Sequence, residues 1–116
     1  MSRSLDRQRE QAARNESVFR RLNEQIEDLA ADASFTRFIC ECMSEACNDP
    51  VAVTLEEYEH VRAHADWFFV LPGHVVADVE KIVETTDRFV VVAKVGAGAA
   101  VAEETDPRRP DHGSSA

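Results

Sequence analysis

The chain has 116 residues, 44% of them hydrophobic and 30% charged, and its formal net charge is -9. This length allows one domain with its own core, and the hydrophobic content is too high for a wholly disordered protein. The acidic balance argues against general affinity for nucleic acid, which needs a cationic surface. No segment approaches the roughly 18 consecutive apolar residues of a membrane span, and the first residues show no signal-peptide core. These patterns predict a cytoplasmic protein.

The first part of the chain predicts a long helix over residues 1–33. From Leu5 to Ala31 there is neither proline nor glycine, and strong helix formers dominate. The segment is nearly neutral, so the acidic charge belongs to the rest of the chain. Four apolar residues form a helical stripe, for which we expect packing against the domain: Val18, Leu22, Ile26 and Leu29. The alternative is a helix that binds a protein partner or pairs with itself in a homo-oligomer.

Residues 34–104 read as a small α+β domain with a mostly antiparallel sheet. Phe35–Cys42 and Val51–Val53 predict a zinc-knuckle-like hairpin whose connecting loop is large enough to hold a metal. Thr54, followed three residues later by Glu57, forms a capping box, which predicts one short helix.

The second half of the domain contains two further strand signals. The segment after Asp66, WFFVL, predicts a buried strand that ends at Pro72-Gly73-His74. Residues 76–86 fit either a helix or a strand, and we favour a hairpin with a strand over Arg88–Val95. A disordered tail is predicted over 105–116.

The three cysteines carry the strongest functional signal, in the pattern C-x-C-x4-C. On an extended strand Cys40 and Cys42 share one face, and the loop allows Cys47 to fold back toward them. Clustered cysteines in a reducing compartment indicate metal binding or redox chemistry, and thiolates with imidazole suit zinc. The alternatives are unliganded core cysteines and redox thiols.

A zinc ion with three thiolates needs a fourth ligand, and the chain has four histidines. We favour His74, because a strand end followed by Pro-Gly can direct its ring inward. His64 is the next candidate and shares a helix face with His60, while a carboxylate or water would follow. His112 lies in the predicted tail and is the poorest candidate.

These motifs together resemble a set of small uncharacterised bacterial proteins with a C-E-C-x4-C … P-G-H pattern. The matching segments span about residues 15–95 and are Val18-Phe19-Arg20 with Asn23-Glu24 and Ile26, Cys40-Glu41-Cys42 with Cys47, Leu55 to Tyr58-Glu59 with Val61-Arg62, and Val70 to Pro72-Gly73-His74. Met43-Ser44 departs from the pattern. The resemblance implies that Cys40, Cys42, Cys47 and His74 occur together as a Cys3His site, and it implies no activity.

Three functional classes remain open from the sequence. We favour a structural-zinc protein that acts in interaction or regulation, with the N-terminal helix as the contact surface for a protein partner. A thiol- or metal-responsive sensor is the alternative. A small zinc enzyme would need an open coordination position and a base, for which Glu41 or Glu45 is available. Nucleic-acid binding has only one supporting feature, an arginine stripe on the helix that neighbouring acids largely cancel.

Overall fold

The computed structural model describes residues 2–30, 35–44 and 46–108. Helix α1 spans Ser2–Leu29, α2 spans Leu55–Arg62 and α3 spans Ala97–Glu104. The five strands are β1 (Thr36–Ile39), β2 (Pro50–Val53), β3 (Trp67–Val70), β4 (Glu80–Thr85) and β5 (Val90–Lys94). All strand pairs are antiparallel, in a two-stranded sheet β1-β2 and a three-stranded sheet β3-β5-β4. The predicted α+β class is therefore confirmed.

The hairpin predicted for the ambiguous segment is present as β4 and β5. Ile82 of β4 is paired with Val92 of β5, and a register shift follows it. Segment 76–79 precedes the strand as a turn, with the Val79 backbone N–H donating to the Val76 carbonyl. The strand reading prevails because β5 lies centrally between β3 and β4, where its β-branched side chains are buried on both faces.

The core lies between the two sheets and α2. The rings of Phe38 and Tyr58 stack with centroids 4.4 Å apart, and Phe69 meets both rings edge-on at about 6 Å. These rings come from β1, α2 and β3, so aromatic packing joins the two sheets to the helix. The predicted capping box at the start of α2 is present, with Thr54 and Glu57 bonding each other's backbone N–H at 2.9 and 3.0 Å.

The prediction of which face of α1 packs against the domain is wrong. Val18, Leu22 and Leu29 are 58%, 40% and 87% exposed, and within the stripe Ile26 packs partly against the core. The buried face is the opposite one and is mostly small or polar: Ala12, Ala13, Glu16, Ser17, Arg20 and Asn23. A hydrophobicity pattern could not identify this face, because its polar residues are buried through long-range pairing.

One of those pairings joins α1 to the three-stranded sheet. The Lys94 ammonium on β5 lies 2.6 Å from carboxylate oxygens of both Glu16 and Glu80, and all three side chains are fully buried. The contact with Glu80 has hydrogen-bond geometry, whereas the Glu16 oxygens lack a well-oriented donor. Burial raises the pKa of Glu16 well above its ordinary value, and Lys94 offsets this only in part. Burial therefore disfavours the ionised form of Glu16.

Helix α3 was not predicted as an element, although its run of alanines favours a helix. It packs along α1 at very short range. A Cβ atom added at Gly98 would lie 2.8 Å from the backbone oxygen of Arg9, so this contact requires glycine. Among the residues that the structure describes, no helix is both long and apolar enough to cross a bilayer.

The predicted tail begins with residues that contact the domain. The Arg108 guanidinium donates to the carboxylates of Glu24, Glu27 and Glu59 at 2.7–3.1 Å. The rest of that prediction, residues 109–116, lies outside the described residues, as does His112. The proposed division at residues 33 and 104 stays a prediction.

Candidate metal centre

The C-E-C segment follows β1 in an extended conformation that two backbone hydrogen bonds maintain. The Cys40 N–H donates to the Asp49 carbonyl, and the Glu41 N–H donates to the Phe69 carbonyl of β3, both at 2.9 Å. The segment is thus held between the lead-in to β2 and the strand β3. Alternation then places Cys40 and Cys42 on one face and Glu41 on the other.

His74 reaches the cysteines through a tight turn after β3. The His74 N–H donates to the Leu71 carbonyl at 3.0 Å. Gly73 has φ +90°, a backbone conformation that residues other than glycine rarely adopt. Cys47 lies in the loop between β1 and β2, where its N–H donates to the Ser44 carbonyl at 3.1 Å. Two chain reversals therefore bring distant residues to the face of the C-E-C segment.

The structure brings the four predicted ligands into one group. One ligand atom from each of Cys40, Cys42, Cys47 and His74 can be chosen so that all four lie within 4.8 Å of one another. The His74 Nδ1 atom is 3.5 Å from the Cys40 Sγ and 3.7 Å from the Cys47 Sγ. In a tetrahedral zinc site, bond lengths of about 2.3 Å to sulfur and 2.05 Å to nitrogen separate the two ligand atoms by about 3.6 Å. The group can hold a metal ion without a large rearrangement.

The surroundings of the thiols do not activate them as redox nucleophiles. The Leu71 N–H donates to the Cys40 Sγ at 3.2 Å, the kind of bond that orients and stabilises a ligating thiolate. Burial, reinforced by the neighbouring thiols, raises the pKa of Cys40, and burial likewise raises the pKa of Cys42. Reactive redox cysteines have lowered pKa values, so these two are poor nucleophiles in the absence of a metal.

The other candidate histidines lie away from this group. The His64 ring stacks on Trp67 with centroids 3.7 Å apart, and His60 Nε2 lies 2.7 Å from the Glu84 carboxylate. Both therefore have partners on the three-stranded sheet, Trp67 of β3 and Glu84 of β4. Of the three described histidines, His74 alone joins the cysteines.

Glu41, considered above as a base, is committed elsewhere. Its carboxylate accepts two bonds from Arg62 at 2.7 and 2.8 Å, one from Asn23 at 2.8 Å and one from the Phe69 N–H at 3.2 Å. Burial alone would lower the pKa of Arg62, but Glu41 outweighs burial and raises it. Glu41 is therefore part of a buried ion pair on the side of the strand opposite the thiols. Glu45 lies outside the described residues.

Sequence reasoning missed these supporting residues. Arg62 and Asn23 belong to α2 and α1, and their side chains meet only around Glu41. The Asn23 side chain also exchanges two hydrogen bonds of 2.8 Å with the backbone of Ile39, at the end of β1. The available signal for a buried partner was Glu41 itself, because alternation with Cys40 and Cys42 turns this charged residue toward the core.

A cavity of about 180 Å³ adjoins the group and is lined by Cys42, Met43, Ser44 and residues 73–76. It is shallow, and Cys42 and His74 form part of its wall. Small solutes therefore have a route to this side of the group.

Comparisons with known proteins gave no match: no protein-family model, curated protein or solved structure is significantly similar to this chain. The resemblance to bacterial proteins with the C-E-C-x4-C … P-G-H pattern thus stays an expectation.

Proposed function

We propose that this chain is a zinc-binding protein in which Cys40, Cys42, Cys47 and His74 hold one structural zinc ion. The observation that carries the proposal is the convergence of three sulfur atoms and one imidazole nitrogen within 4.8 Å of one another, with the His74 nitrogen 3.5 and 3.7 Å from two of the sulfurs. Three thiolates and one imidazole are a donor set that zinc prefers over hard cations such as magnesium or calcium. The unpaired cysteines suit a reducing compartment such as the cytoplasm.

The role we propose is interaction or regulation rather than catalysis. A catalytic zinc keeps a coordination position open for water or substrate, whereas four protein ligands would fill the tetrahedral shell. The nearby carboxylate of Glu41 is bound by Arg62 and is not free to act as a base. The metal would instead tie the loop between β1 and β2 to the turn after β3 and add its binding free energy to folding.

Metal content provides the direct test. Native mass spectrometry of freshly purified, reduced protein should show one zinc ion per chain, which Cys42→Ser and His74→Ala should weaken or abolish. His64→Ala is the matched control, because His64 stacks on Trp67 away from the thiols. A wild-type protein without metal, or a His74→Ala variant with undiminished affinity, would refute the site.

Stability provides a second readout of the same proposal. A structural zinc lowers the free energy of the folded state only, so a strong chelator should reduce the melting temperature of the wild type. Cys42→Ser should already melt at the reduced temperature and respond little to chelator. Equal melting temperatures with and without chelator would contradict a structural role even if zinc were bound.

A metal-responsive sensor is the second candidate, and the cavity beside Cys42 and His74 is the observation that favours it. Through this opening a small oxidant can reach a ligating sulfur. Titration with peroxide, followed with a zinc-sensitive dye, distinguishes the two roles. Zinc release at low, sub-millimolar peroxide and recovery with a thiol reductant would support the sensor, whereas retention of zinc would support a purely structural ion.

A further inference from the structure

The exposed apolar ridge of α1 is the feature that neither the fold nor the metal centre uses. The ridge consists of Val18, Leu22 and Leu29, together with the exposed amide side chain of Gln25. At 100° per residue these four positions fall within an arc of about 60° around the helix axis. This arc lies directly opposite the face buried against the domain. It extends over about 16 Å of helix axis. This ridge is therefore turned fully away from the protein's own core.

The residues beside the ridge differ on its two sides. On one side lie the exposed charges of Arg21 and Asp28, seven residues apart and hence nearly in line along the helix. On the other side lie Phe19 and Ile26, both half-buried and also seven residues apart. The ridge thus has one charged edge and one apolar edge.

We propose that this ridge is the interface of a homodimer, in which α1 pairs with α1 of a second copy in antiparallel orientation. In antiparallel pairs the same edge of each helix meets its counterpart, so the charged edges face each other and the apolar edges face each other. Arg21 of each copy then lies beside Asp28 of the other, offset by about 3 Å along the axis, twice across a two-fold axis. A parallel pair would place the charged edge of one helix against the apolar edge of its partner.

The register follows from the same two-fold axis. Pairing Val18 with Leu29 of the second copy also brings Leu22 next to Gln25 of the second copy, so the axis passes between residues 23 and 24. Because the ridge has only three apolar side chains per copy, the dimer is weak and forms at high protein concentration. Charge complementarity therefore decides orientation, and the apolar contacts supply most of the affinity.

Sedimentation velocity of the full-length, metal-loaded protein over a concentration series tests the proposal. We expect a reversible monomer–dimer equilibrium, which Leu22→Glu should abolish. Leu22 is exposed, so the thermal melt of this variant at dilute concentration should match that of the wild type, which separates lost pairing from lost folding.

A charge exchange tests the orientation. Arg21→Asp alone and Asp28→Arg alone should each weaken the dimer several-fold, because each places like charges opposite one another. The double variant Arg21→Asp/Asp28→Arg should restore the wild-type affinity. Arg7→Asp, on the same helix but outside the ridge, is the matched control and should leave pairing unchanged.

Several results would overturn the proposal. These are a wild type that stays monomeric at millimolar concentration, a dimer that Leu22→Glu leaves intact, and a double charge variant no tighter than either single one. A monomer whose ridge instead binds a different protein would equally overturn it, since the occupant proposed is a second copy of this chain.

Discussion

Loss of Arg62 should destabilise the protein severely, because this side chain neutralises the carboxylate that lies between two of the proposed metal ligands. Arg62 and Glu41 have side-chain exposures of 1% and 0% and are joined by two short hydrogen bonds. In Arg62→Met the Glu41 carboxylate keeps only the bonds from Asn23 and the Phe69 N–H. The variant would leave a buried charge without a counterion.

The magnitude follows from known effects of breaking buried ion pairs. Removing one partner typically costs about 3–5 kcal/mol. Domains have total stabilities of only about 5–15 kcal/mol, so Arg62→Met should lose about a fifth or more of the free energy of unfolding. The melting temperature should fall by more than about 10 °C, given a shift of about 4–8 °C per kcal/mol for small domains.

Urea denaturation of zinc-loaded protein, followed by the fluorescence of the single tryptophan, measures this effect. The double variant Glu41→Gln/Arg62→Met should recover part of the loss, because it removes the unpaired charge and the single amide oxygen can still accept one of the two bonds, from Asn23 or from the Phe69 N–H. Either an Arg62→Met variant within about 1 kcal/mol of the wild type or fully additive losses would refute the reasoning.

Two further perturbations probe the contacts of α1. Glu16→Gln should stabilise the protein near neutral pH. Because the pKa of Glu16 is raised in the folded state, the wild type loses stability as the pH rises above the ordinary pKa of 4.5, and the neutral amide removes that loss. Urea denaturation at several pH values should show that this gain in the free energy of unfolding vanishes as the pH falls to about 4. If the variant is instead less stable than the wild type at neutral pH, Glu16 is ionised and paired with Lys94. Gly98→Ala should separate α3 from α1, because its Cβ would lie 2.8 Å from the Arg9 backbone oxygen, and we expect a loss of about 1–3 kcal/mol. Ala100→Ser, at an exposed position of the same helix, is the control, and an equal effect of the two changes would contradict the close contact.

Local signals accounted for most elements of the fold. The capping box at Thr54 and Glu57 was predicted from a spacing of three residues and is present with both of its hydrogen bonds. The β-branched segments became strands, and the favoured hairpin for residues 76–86 is present as β4 with β5. These predictions succeed because caps, turns and alternation depend on residues close together in the chain.

Part of the grouping of the four candidate ligands was predictable for a similar reason. Cys40 and Cys42 share a face through strand alternation alone, and the Pro-Gly turn made His74 a better candidate than the helical histidines. The partners of Glu41 were not predictable, because Arg62 and Asn23 come from two different helices and meet it only in the folded chain.

The sequence by itself determined most of the elements, the α+β class and the common face of Cys40 and Cys42, since each follows from short-range geometry. It also made His74 the favoured fourth candidate, but the fold brings His74 and Cys47 to that face. Only the tertiary structure decided which face of α1 is buried. Apolar periodicity pointed to Val18, Leu22 and Leu29, but the helix packs through small residues and through Glu16, Arg20 and Asn23. Polar groups such as Arg20 and Asn23 are tolerated in the interior because distant parts of the chain supply their partners, the Ala102 carbonyl for Arg20 and the Ile39 backbone for Asn23, and no local pattern encodes such pairings.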